Sequence, residues 1–180
     1  MFAIFGKKKL NENKLSNIAV NAILEAVDEG FPEIEAIILN SPELIVDFEL
    51  IPEAKDRFLL IVIAANLQIA PKFLESHQDS RVFNQIIEKF ALVFDVDTSA
   101  FEKAINDYMA FLKKVNHPSN NTLYSMAKAI FFKLELADYQ EEYFRNMKAP
   151  NPLFLKRLDE VMHIFLFDWE GVSTKYQLVK

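Results

Sequence analysis

Phe58-Leu59-Leu60-Ile61-Val62-Ile63-Ala64-Ala65 is an unbroken apolar run lying between Pro52 and Pro71. Pro52 opens a helix of about residues 53–69 and Pro71 closes it. Placing Phe58 at 0° and stepping 100° per residue, the next five side chains point in every direction around the axis. A helix that is apolar all round must be covered on all sides. The run is also far shorter than the ~20 residues of a membrane span. Residues 53–69 are therefore expected to be the central, buried helix of a helical bundle.

Working outward, the composition agrees with helices. Gly6, Gly30 and Gly171 are the only glycines in 180 residues. All-β folds need many positive-φ turns, so such scarcity favours helices joined by short polar loops. Seventeen Phe supply a large apolar payload for helix packing. The pattern predicts an all-α, single-domain bundle of six to nine helices over residues 13–180, after a mobile basic/apolar leader at 1–12.

Individual helices follow from period and punctuation. Leu15, Ile18, Ala19, Ala22, Ile23 and Ala26 form one stripe of a first helix over 13–29, ended by Gly30 as a left-handed cap and by Pro32. Residues 33–51 are ambiguous. Ser41-Pro42-Glu43 resembles a helix cap, whereas Val46–Leu50 alternates like a strand, so two short helices are expected with a β-hairpin as competitor. Asp79 or Ser80 should cap the next helix. Ser99 with Glu102 forms a capping box for another, and Ser119–Thr122 starts a further one. A short segment spans 138–147, and Asn151-Pro152 caps a last helix over 152–169.

Candidate chemistry is sparse. There is no Cys, which removes disulfides, thiolate metal sites and Cys nucleophiles. Glu160-Val161-Met162-His163 has one Glu-x-x-His spacing, but a di-iron site needs two such motifs and two further Glu. Asp95-Val96-Asp97 begins like a calcium loop, yet Ala100 and Asn106 stand where Gly and Glu are required. His77 and His117 have no local partner motif, and no phosphate loop, nucleophile elbow or dinucleotide fingerprint occurs. No catalytic residue, metal site or cofactor is assigned.

Charge is the more informative signal. No basic residue falls between Lys14 and Lys55, while Glu25, Asp28, Glu29, Glu33, Glu35, Glu43, Asp47, Glu49 and Glu53 do. The chain carries −6 and its first fourteen residues +3, leaving −9 for the remainder. Phosphate binding needs a basic face, so nucleic acid is disfavoured as a partner. The first eight of those nine acids are candidate contacts for a basic protein partner, steered electrostatically. His163 and Phe167 lie opposite the core face of the last helix, with Ile164 at its flank, and these three are candidates for self-association as a homodimer. Phe2 and Phe5 followed by Lys7, Lys8 and Lys9 are candidates for weak contact with an anionic membrane surface.

The apolar start precedes its lysines, the reverse of a secretory signal, and points to a cytoplasmic protein. The expected function is a non-catalytic interaction protein, an adaptor, inhibitor or immunity-type module, acting through its acidic face or last helix. The alternative is a small-molecule binder or enzyme with a Phe-lined cavity. A third reading is a peripheral membrane accessory protein.

Overall fold

The computed structural model describes residues 7–45 and 47–180. Strand β1 (Lys8–Asn11) leads into α1 (Glu12–Leu39). Helix α2 (Ala54–Ile69) is followed by α3 (Gln78–Val93), α4 (Thr98–Asn116), α5 (Thr122–Lys133), α6 (Glu142–Met147) and α7 (Pro152–Val161). A 3-10 turn at Met162–Phe165, α8 (Trp169–Lys175) and β2 (Tyr176–Val179) complete the chain. The fold is predominantly α-helical, as the sequence pattern predicts.

Helix α2 is the axis of the bundle. It packs against α1, α4 and α5, while α1 also packs on α3, and α5 on α7. Phe58 and every residue from Ile61 to Leu67 are buried; Leu59 and Leu60 are half-buried, so the first turns have one partly open side. The fully buried polar side chain on this helix is Asn66. Its Nδ2 donates to the carbonyl oxygens of Val62 and Phe165 at 2.9 Å each, and its Oδ1 accepts from the Phe167 N–H at 2.7 Å. A buried amide is tolerable only when so satisfied. Here it also fixes the C-terminal segment against the central helix.

The first helix corrects the sequence expectation. It does not stop at Gly30 but runs through Pro32 to Leu39. Gly30 has no positive φ. Its missing Cβ instead makes room for Phe165, whose ring carbons would lie 2.7 Å from an added methyl group. An interior proline costs a helix about 3 kcal/mol. Burial of Phe31, Ile34 and Ile38 on the continuing turns offsets it, at roughly 1.5–3 kcal/mol per fully buried side chain. Tertiary packing overrides the stop signal.

Residues 40–53 are neither two helices nor a hairpin. Leu44 makes one antiparallel bridge to Gln140, the Ile45 N–H donates to the Tyr139 carbonyl at 2.6 Å, and Phe48 stacks on Tyr139 with ring centroids 4.2 Å apart. Ser41-Pro42-Glu43 caps no helix; the Ser41 hydroxyl donates to Glu43 Oε2 at 2.7 Å.

Other boundaries shift for local reasons. Asp97, not Ser99, caps α4 by accepting from the Ala100 N–H at 2.8 Å. Helix α3 starts after His77, which adopts a left-handed conformation, with no side-chain cap from Asp79 or Ser80. Asn151 caps α7 as expected, accepting from Leu153 N–H at 2.9 Å. The last helix breaks after Val161 instead of reaching 169, because Asn66 holds the extended turn at 165–167.

The expected leader also changes. Lys8–Asn11 pairs in parallel with Tyr176–Val179, Leu10 opposite Leu178, and Asn11 caps α1 through the Asn13 N–H at 2.9 Å. Two four-residue strands carry no strong local signal, so the pairing exists only because the chain's far end returns beside its start. At the base of α1, buried Glu12 receives Nε and Nη2 of Arg81 at 2.8 and 2.7 Å. These hydrogen bonds hold the Glu12 carboxyl below its ordinary 4.5, against burial, which pulls upward.

Asn66→Leu strands the Phe165 carbonyl and the Phe167 N–H and should cost about 2–4 kcal/mol in urea unfolding followed by Trp169 fluorescence. A loss under about 0.5 kcal/mol refutes the tethering role. Because the folded Glu12 pKa is depressed, its contribution is complete above the unfolded value and vanishes as pH falls through the folded one. Arg81→Ala should therefore destabilise the fold at neutral pH, by an amount that shrinks progressively in acid, as urea unfolding at several pH values would show.

Candidate interaction surface

Helix α1 carries five exposed acids. Relative to the buried stripe of Ile23, Val27, Phe31, Ile34 and Ile38, the helical angles set Glu25, Glu29 and Glu33 on the outer side and Asp28 and Glu35 on one flank. Glu25, Glu29 and Glu33 follow at i, i+4 spacing, where like charges each cost about 0.2–0.5 kcal/mol. The last turn of α1 contains no base, so the negative end of the helix dipole adds to the repulsion. This face is held against its own electrostatics.

Beside it runs a groove of about 390 Å³ between the last turns of α1 and residues 48–55. Phe31, Leu39, Phe48, Leu50 and Ile51 give its apolar lining, and Glu35 and Glu49 stand on it. Lys55 reaches the same groove but is bound to Asp28 at 2.8 Å. Asp47 is exposed on the connecting segment with φ 75°, and Glu49 is exposed two residues later. Val46 lies outside the described residues. Acids and apolar side chains thus meet on one surface, built from α1 and the chain that returns past it.

Glu43 does not belong to that surface. It is 8% exposed and accepts from Ser41 at 2.7 Å and from Arg157 Nη2 at 3.2 Å, joining the 40–45 segment to α7. Burial alone would raise its pKa, but the hydrogen bonds from Ser41, Arg157 and its own backbone N–H hold the carboxyl below the ordinary range. A buried, paired acid cannot recruit a partner, and Glu43 drops out of the candidate set.

The other candidates separate in a similar way. Lys8 and Lys9 are exposed on β1, while the Lys7 ammonium donates to the Ser173 carbonyl at 2.6 Å. Phe2 and Phe5 lie outside the described residues. His163 and Ile164 are exposed, but Phe167 is half-buried with its ring 4.8 Å from that of Trp169. Glu160 is also exposed, and its carbonyl oxygen lies 3.0 Å from His163 Nδ1. His77 and His117 are both exposed.

Buried phenylalanines pack on each other. Phe58 lies 5.5 Å from Phe31 and 4.8 Å from Phe165, between ring centroids. Among the described residues no three His, Asp or Glu side chains converge as metal ligands, and no helix is long and apolar enough to cross a membrane. One acid that the sequence reading missed is Asp159 of α7, where a buried oxygen lacks a partner. Burial, with Glu160 beside it, raises its pKa. Comparison with known proteins finds no matching family, no matching curated protein and no matching solved structure.

Missing from the sequence reading was the groove itself. Its signals were Phe48, Leu50 and Ile51, which alternation assigned to a hairpin or to short helices, and Phe31 and Leu39, whose face became continuous only once α1 passed Pro32.

If the acids of α1 repel one another as this geometry requires, Glu29→Gln should leave the fold intact and raise stability by about 0.3–0.5 kcal/mol at low salt. The gain should shrink in high salt, and a net loss in thermal unfolding would show that the acids are structurally compensated.

Proposed function

We propose that the protein is a non-catalytic helical interaction module, acting in the cytoplasm as an adaptor, inhibitor or immunity-type protein. It binds a basic protein partner through the outer face of α1 and the adjoining groove. The observation that carries this reading is an apolar groove with Glu35 and Glu49 on it, next to an outer face of α1 whose Glu25, Glu29 and Glu33 stand at spacings that cost the free protein stability. Residues that oppose folding without serving packing are expected where binding is the task. The acids accelerate encounter with a positively charged surface, and Phe48, Leu50 and Leu39 supply the desolvated contact that holds it.

Glu33→Lys with Glu35→Lys reverses one charge on the outer face of α1 and one on the groove while leaving the buried stripe untouched. Captured on a column from its native host at low salt, the wild type should retain a basic partner that elutes with rising salt. The double variant should lose it. Retention of the same partner by both proteins, or elution insensitive to salt, overturns the reading.

A further inference from the structure

A second apolar surface lies where α3 turns into α4. Leu92 is 83% exposed, Val93 55%, Phe94 37% and Val96 47%, four large apolar side chains within five residues. Phe94 and Val96 adjoin the partly open side of α2, and with Leu59, Leu60, Phe101 and Asp56 they line a groove of about 280 Å³. The platform is rigid. The turn is closed by Phe94 N–H to Phe90 O at 3.0 Å and Val96 N–H to Ala91 O at 3.0 Å. The rings of Phe90, Phe94 and Phe101 stand 6.1 Å apart in each pair. Such preorganisation lowers the entropic cost of binding.

Charge and area select the occupant. No base occurs between Lys89 and Lys103. Asp56, Asp95 and Asp97 make no ion pair among the described residues, although Asp97 commits one oxygen to capping α4. The C-terminal turn of α3 also has no base over its carbonyls, which adds negative potential. A second copy would bring acids against acids, and an anionic bilayer would be repelled. The exposed apolar area is on the order of 400 Å². That is half the about 800 Å² per partner of a standard protein interface, and it suits one helix in a groove.

From this geometry we infer that the α2/α3–α4 corner docks a short amphipathic helix of a partner protein. Its apolar stripe lies on Leu59, Leu60, Phe94 and Val96, and its Lys or Arg residues reach Asp56 and Asp95. This corner lies across the first turn of α2 from the acidic groove, with Lys55 on one side and Asp56 on the other. The inference does not depend on the α1 face binding anything.

The probe is a synthetic peptide of about fourteen residues with Leu at i, i+3, i+4, i+7 spacing and Lys elsewhere, measured by fluorescence anisotropy. The control replaces Lys with Glu. The Lys peptide should bind and the Glu peptide should not. Leu60→Gln with Val96→Gln, both in the proposed contact stripe, should weaken binding about tenfold or more. Asp56→Asn with Asp95→Asn should remove most of its salt dependence; Asn suits the left-handed backbone at Asp95. Glu33→Lys with Glu35→Lys should bind as the wild type does. Circular dichroism confirms that each variant is folded. Absence of binding, equal binding of both peptides, or indifference to the Leu60/Val96 variant overturns the inference. So does a dimer in sedimentation that this variant dissociates, or vesicle binding that it abolishes, since a second copy or lipid would then be the occupant.

Discussion

Asn66 is the hinge on which the arrangement turns. It is the fully buried polar side chain of the central helix, and its three hydrogen bonds leave neither its own polar atoms nor those of Phe165 and Phe167 unpaired. In a dry interior this sets position, because sliding α2 by one residue against the 165–167 segment would break both tethers together. The consequences spread outward. Phe165 is held over Gly30, Trp169 is buried behind Phe167, and the tail is directed back to pair with β1.

The same packing explains why α1 is long. A helix that ended at Gly30 would leave Phe31, Ile34 and Ile38 in a loop, with nothing to order them against α2. Carrying the helix through Pro32 sacrifices one hydrogen bond and gains a buried face of two further turns. It also sets Glu33 in line with Glu25 and Glu29 on the outer face and brings Glu35 to the groove. The acidic surface is thus a by-product of core packing, and its charges persist although helix electrostatics oppose them.

Ion pairs were the least legible layer. Glu12 and Glu43 read in the sequence as two more acids of an acidic protein, yet both are buried and matched, by Arg81 and Arg157. Their partners lie 69 and 114 residues away, and no local spacing announces such pairs. The exposed apolar corner at Leu92–Val96 was equally hidden. Phe90 and Phe94 belong to one stripe by period, but only the turn after α3 decides that Phe90 is covered while Phe94 is 37% exposed.

By itself the sequence determined the helical class, the buried central helix and the sign of the net charge. Those depend on apolar period, glycine scarcity and composition, all local or summed quantities. Tertiary structure alone decided that Pro32 does not stop α1, that residues 8–11 pair with 176–179, that the last helix breaks at Val161, and which acids face solvent. Each of these outcomes weighs a local preference of a few kcal/mol or less against burial and pairing with residues distant in the chain, and the distant contacts win.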